Sequence, residues 1–318
     1  MRVLYDISVL GEGSYHSVAR TGVARVVEEL GKQLAEASSI ELSACARWSI
    51  SNYLKTQKYM PSSSWMQGRS LAQAKSTRLK QVQDVLSIIF PSPAAPSLVR
   101  KIACRLLVPL DHFSTHFPIR LDAPADIYHS TFLPLVNAPP RSVCAARVLT
   151  VYDLIPIILP EFCTSENRAL IEQVINSAVH ADRVMAISES TKSDLCEHTG
   201  IDPDRVAVTS LAASAQFYPC QSREALAEVR SKYGIPDGQY ALSLCTLEPR
   251  KNIEQVIRSY VDLVRQQRLD DLSLVLVGTK GWDFDHIFDE IKGADALSDR
   301  KSTRLNSSHQ IISYAVFC

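Results

Sequence analysis

The chain has 318 residues, 46% of them hydrophobic and 21% charged, with 34 basic and 34 acidic side chains and a formal net charge of zero. That apolar content excludes wholesale disorder, the charge balance argues against a protein that coats nucleic acid, and 11 glycines with 16 prolines exclude a collagen-like or low-complexity chain. No apolar run reaches the roughly 18 residues a membrane helix needs, and Asp6 interrupts any signal-peptide stretch, so a soluble cytoplasmic protein is expected.

Residues 2–9 are apolar and β-prone and predict a first strand. A polar, glycine-bearing loop is expected over 11–20. Thr21 then caps a helix whose apolar residues Val23, Val26, Val27, Leu30 and Leu34 recur at helical spacing. Residues 40–48 predict a second strand. The pattern weakens over 52–117: a helical stretch at 71–89, then Pro91, Pro93 and Pro96, then an amphipathic stretch at 101–110. Arg100, Lys101 and Arg105 allow two readings of that stretch, a peripheral contact with anionic lipid or a helix packed on its own domain.

Regularity returns with strands at 126–129 and 147–152, the first ending in His129 and the second followed by Asp153. A helix is expected over 165–180, a strand over 183–187, and a helix opened by Ser188-Glu189-Ser190-Thr191. Apolar strands follow at 206–209, 240–244 and 272–277, with helices near 223–232 and 252–267. Apolar strands alternating with helices imply parallel sheets covered on both faces. The expected fold is α/β, with two Rossmann-like domains over 1–180 and 181–298. Sheets of this kind bind ligands at the carboxyl ends of their strands.

Eight scattered cysteines show neither C-x-x-C nor zinc spacing and are expected to be mostly buried thiols, with no metal site. The final segment, 299–318, lacks the preceding regularity. Residues 299–309 and 312–318 match the translation of a common short-read sequencing adapter, with Gln310 and Ile311 at its six-base index. The expectation is a non-native tail joined to a natural chain ending near Ser298. Without it, 31 basic and 33 acidic residues remain, a net charge of −2.

Three groups of residues are candidates for chemistry. Gly22 opens a helix after the first strand, where free N–H groups and the helix dipole favour phosphate; a plain turn glycine is the alternative. Arg250 and Lys251, in Glu248-Pro249-Arg250-Lys251-Asn252, follow a strand and offer bidentate donors and a point charge suited to a diphosphate; a solvated helix start is the alternative, though cations there oppose the helix dipole. His129 and Asp153 stand at strand ends, able to bond sugar hydroxyls or to hold or deprotonate an acceptor hydroxyl; a structural histidine is the commoner alternative for a lone strand-end His129. Gly278, in Gly278-Thr279-Lys280-Gly281, allows close passage of a nucleotide, or simply a turn.

The runs LSLCTLEPRKNI and LVLVGTKGW, with RTGVARVVEEL, DIYHSTFLPL, LTVYDLIPIILPE and AISESTKSDL, resemble glycosyltransferase family 4 over nearly all of 1–298 apart from 52–117. The resemblance implies a GT-B fold, two Rossmann-like domains facing a cleft, with the second incomplete here. It implies a retaining transfer of a hexose, mannose or similar, from a nucleotide-diphosphate sugar to a growing glycan, with no metal and no cofactor. By the same resemblance Gly22 is the diphosphate-loop glycine, Arg250 and Lys251 the diphosphate clamp, Gly278 part of the donor site, and His129 and Asp153 the catalytic pair. Cys245 and Thr246 stand where many members carry an arginine. The family's E-x7-E region has no counterpart in 1–298, so the 318-residue chain is expected to be inactive and a longer parent active. The expected partners are a nucleotide sugar and a glycan acceptor at the inner face of a membrane, and no nucleic acid. The alternative is a non-catalytic nucleotide-sugar or polysaccharide-binding module.

Overall fold

The computed structural model describes residues 1–15, 22–46, 49–69, 71–74, 77–114, 119–120, 124–135, 139–213, 217–235, 237–267, 272–278, 281–283, 285–290, 302–306 and 313–317. The chain divides into two units, Met1–Ser214 and Ala215–Cys318. The boundary expected at 180/181 therefore moves to 214/215, because the next two strands hydrogen-bond into the first sheet.

Unit 1 runs β1 (Arg2–Asp6), α1 (Ser8–Tyr15), α2 (Gly22–Glu36), β2 (Glu41–Cys45), α3 (Ile50–Tyr59), β3 (Gln73–Ala74), α4 (Thr77–Ile89), α5 (Ser97–Ser114), β4 (Ile119–Arg120), β5 (Ala125–Ser130), β6 (Cys144–Val151), α6 (Ile155–Ile158), α7 (Ser165–Ser177), β7 (Arg183–Ala186), α8 (Glu189–Thr199) and β8 (Val206–Val208). Its main sheet has the order β2-β1-β5-β6-β7-β8 and is parallel throughout. Alternation along β1 sends Leu4 into one core with Tyr128, Leu149, Val184 and Leu195, and Val3 and Tyr5 into another with Val27, Leu42 and Leu54. Both faces are thus sealed, as apolar parallel strands require.

Local chemistry sets the helix ends. Thr164 caps α7 and Ser188 caps α8, each side chain accepting from a backbone N–H three residues on. Gly200 ends α8 with φ 68°, a conformation glycine adopts without a Cβ clash. The loop expected over 11–20 is helical as far as Tyr15. Leu10 and Tyr15 are buried there, and Gly11 lies so close to α3 that a Cβ would stand 2.4 Å from Thr56 Oγ1. Packing on α3 thus outweighs the poor helix propensity of two glycines. Thr21 falls outside the described residues.

Unit 2 runs α9 (Arg223–Tyr233), β9 (Gln239–Leu244), α10 (Ile253–Gln267), β10 (Leu272–Gly278), β11 (Ser302–Asn306) and β12 (Ser313–Phe317). Its sheet order is β11-β12-β10-β9, with β9 and β10 parallel and the hairpin antiparallel to β10, Leu274 opposite Phe317. The periodic face of α10 places Ile253, Ile257 and Tyr260 on Leu274 and Leu276. On the other face Tyr233 and Ile235 cover Val275, while Leu242 and Leu244 of β9 remain exposed. The seven described cysteines are unbridged; Cys45 and Cys144 are buried and Cys220 is exposed.

Candidate functional site

In the main sheet of unit 1 the strand order reverses between β1 and β5, the point at which doubly wound sheets open a ligand crevice beyond their carboxyl ends. Asp6 closes β1 there. It is buried; Ser8 N–H donates to its Oδ1 at 2.9 Å and the Tyr128 hydroxyl donates to its Oδ2 at 3.1 Å. Thr131, just beyond β5, donates its hydroxyl to the Asp6 carbonyl at 2.8 Å. Burial, then the Asp6 charge, raises the Tyr128 pKa well above the usual tyrosine value, so the phenol keeps the proton it donates. Sequence reasoning did not select Asp6 or Thr131. The available signal was the one that selected Asp153, an acid where an apolar strand ends.

His129 lies one strand residue before Ser130. It is 5% exposed, its Nε2 is 2.8 Å from Thr150 Oγ1 on β6, and the Tyr5 ring meets it edge-on at 5.4 Å between centroids. Burial lowers its pKa from 6.5 to about 4, so the imidazole is neutral at physiological pH. The structure places this histidine inside the packed sheet edge rather than on an open strand end. Asp153 is half-buried beyond β6, and its Oδ1 accepts from the Ile155 N–H at 3.1 Å, fixing the first turn of α6. Beside it the Thr191 hydroxyl donates to the Tyr152 carbonyl at 2.8 Å, which docks the start of α8 against the end of β6. Gly22 is exposed as the first residue of α2, and among the described residues nothing outside its chain neighbours and its own helix backbone lies within 4 Å of where its Cβ would be.

In unit 2 the loops after β9 and β10 are laced together. Cys245 N–H donates to the Val277 carbonyl at 3.0 Å, and Gly281 N–H to the Leu247 carbonyl at 2.9 Å. A Cβ on Gly278 would stand 1.7 Å from the Cys245 oxygen, so only glycine allows this approach. The 3-10 turn Pro249–Lys251 then leads into α10 through Asn252, whose φ of 50° is left-handed and tolerated by asparagine. Arg250 donates to Glu248 Oε1 at 2.6 Å, and Lys251 is exposed. Burial raises the Cys245 thiol pKa, with Lys251 pulling the other way. Arg250, Lys251 and Gly278 are therefore brought to one strand edge of unit 2, while Gly22, His129 and Asp153 belong to unit 1. Thr279 and Lys280 fall outside the described residues. Among the described residues no group of three or more His, Cys, Asp or Glu side chains could hold a metal.

No protein-family model matches the chain. Over 135 residues it is 33% identical to the serotype-specific mannosyltransferase WbdA of Escherichia coli, covering 42% of this chain and 16% of that protein. Over 160 residues it is 28% identical to the O-antigen chain mannosyltransferase B of Escherichia coli, covering 50% of this chain and 40% of that protein. The chain thus spans less than half the length of either relative. Among solved structures it is similar to Alr3699/HepE of Anabaena, in complex with UDP and glucose, with a TM-score of 0.50 and 12% identity over 93% of this chain and 66% of that one. At that identity the likeness is one of fold: α/β and GT-B-like, with Rossmann-like units.

Proposed function

We propose that the chain is part of a hexosyltransferase that moves a sugar, mannose on the reading its relatives favour, from a nucleotide-diphosphate donor to a growing glycan with retention of configuration. The observation that carries this reading is the 33% identity over 135 residues to a mannosyltransferase. The donor diphosphate lies against Arg250 and Lys251, whose charges stabilise the leaving group without a metal or cofactor. Gly278 lets the loop after β9 pack against the end of β10 and so sets where those cations stand, and Gly22 opens a helix N-terminus, a favourable end for an anion, on the acceptor-side unit. Asp153 faces the acceptor from the edge of β6. His129, enclosed and neutral, serves as a positioning group that holds Thr150 and the end of β5. The enzyme works at the cytoplasmic face of a membrane.

In the same reading the parent protein continues beyond Ser298 with natural sequence in place of the adapter-like tail, and the 318-residue chain lacks donor-site residues and activity. Genomic DNA across Ser298 tests the first point, and an in-frame continuation encoding residues 299–318 removes it. The parent is then assayed with GDP-mannose and UDP-glucose. Donor turnover that falls by about a hundredfold or more in Lys251→Ala supports the enzyme. Binding without turnover supports a non-catalytic nucleotide-sugar module, a reading favoured by the engagement of Arg250 with Glu248.

A further inference from the structure

Helix α5 carries two apolar faces where a packed helix needs one. Its inner face places Leu107, with Ala103 and Cys104, in the core of unit 1, and Arg100 donates to the Tyr15 carbonyl at 2.9 Å. This is the self-packing reading of the 101–110 stretch. The outer face presents Leu98, Ile102 and Leu106 at i, i+4 and i+8, exposed by 68%, 50% and 72%. Lys101 and Arg105, also exposed, follow the same helical spacing along one flank of that stripe. No acidic residue occurs between Ser97 and Pro109. Helix α4, which precedes it, also turns aliphatic side chains outward, with Val85, Ile88 and Ile89 all exposed. Residues 77–114 hold five basic and two acidic side chains in a chain whose total charge is zero.

An exposed apolar stripe beside cations has a definite chemistry. Aliphatic side chains gain by leaving water, and an adjacent row of cations gains from an anionic surface. The cores of protein interfaces favour aromatic residues, and this stripe has none. No helix among the described residues is long and apolar enough to cross a membrane, so the contact lies in the plane of the surface.

We propose that the outer face of α5 seats unit 1 on an anionic phospholipid bilayer, with Leu98, Ile102 and Leu106 entering the acyl boundary and Lys101 and Arg105 meeting headgroup phosphates. The proposal names the surface behind the peripheral membrane placement above, but it does not depend on sugar transfer, because its readout is partition rather than catalysis. The test is flotation of the 318-residue chain with vesicles of phosphatidylcholine alone or with phosphatidylglycerol added. Partition is expected only with phosphatidylglycerol. It should fall about tenfold or more in the double variant Ile102→Ser/Leu106→Ser, and comparably in Lys101→Glu/Arg105→Glu. Thermal unfolding of both variants should match the parent chain, since all four side chains are exposed. Equal partition into both vesicle types overturns the proposal, as does partition unchanged in both variants. A dimer in sedimentation analysis that Ile102→Ser/Leu106→Ser dissolves also overturns it, by making the face a contact between copies of the chain.

Discussion

Strands β1 and β9 are both parallel strands at the start of an α/β unit, yet their surroundings differ. β1 is paired on both edges, by β2 and β5, and Leu4 and Tyr5 on its opposite faces are fully buried. Among the described residues β9 is paired with β10 alone, and Leu242 and Leu244 on one of its faces are 58% and 73% exposed. Both strands carry leucine and tyrosine, and the contrast in their burial follows what covers them. A parallel sheet is stable when helices seal both faces; unit 1 meets that condition, and the described part of unit 2 meets it on the α10 side. The β11–β12 hairpin illustrates the weaker requirement of an edge. Backbone pairing along β10 needs only an extended, β-prone segment, which the adapter-like tail supplies without covering the open face of β9.

The contrast is broken most directly by truncating each strand's environment. Leu149→Ala, in a fully buried position of β6, should destabilise unit 1 by about 2–5 kcal/mol in denaturant unfolding, through lost burial and the cavity left behind. A change below about 0.5 kcal/mol would mean the core is looser than described.

The next effect is pH dependence in unit 1. The folded state holds His129 neutral with a pKa near 4, while the unfolded chain binds a proton near 6.5. The contribution is therefore whole above the unfolded value and is lost as pH falls through the folded one, roughly 3 kcal/mol in all. Urea unfolding at pH 7 and pH 4.5 should show the loss, and His129→Gln should flatten it. An NMR titration placing His129 near its ordinary pKa would contradict the enclosed, neutral imidazole.

Two glycines sharpen the comparison at the strand ends. Gly278→Ala drives a methyl into the Cys245 carbonyl and should cost about 1–3 kcal/mol in unit 2. Gly22→Ala meets nothing within 4 Å and should leave stability unchanged or raise it by about 0.4–1 kcal/mol. Loss of nucleotide binding in Gly22→Ala without loss of stability would assign that helix start to the ligand. The smallest expected effect is Leu244→Ala, within about 0.5 kcal/mol by the same unfolding measurement, because the side chain is already in water.

Much of this was legible in the sequence because it is written in local pattern. The period of Ile253, Val256, Ile257 and Tyr260 marks α10, the apolar runs mark β6, β7 and β10, and Ser188 marks the start of α8. The same patterns located the ends of β6 and β9, beyond which Asp153 and the turn carrying Arg250 and Lys251 follow, but not that His129 is enclosed within β5. Other features depend on residues far apart in the chain. The helicity of 8–15 is set by Thr56, the domain boundary by the pairing of β7 with β6, and the necessity of Gly278 by a carbonyl 33 positions earlier. The second apolar face of α5 was visible as composition, but only the packing of Leu107 showed which stripe is left outside.

By itself, then, the sequence determined element type, the alternation of strands and helices, and the positions of charge at strand ends, because periodicity and capping are local properties of the chain. Tertiary structure alone decided that His129 is enclosed and neutral, that Gly278 packs against the Cys245 carbonyl, and that β9 is open while β1 is sealed. Burial and pairing depend on which distant segments arrive beside a residue, and the dielectric and hydrogen-bond partners they bring set its chemistry.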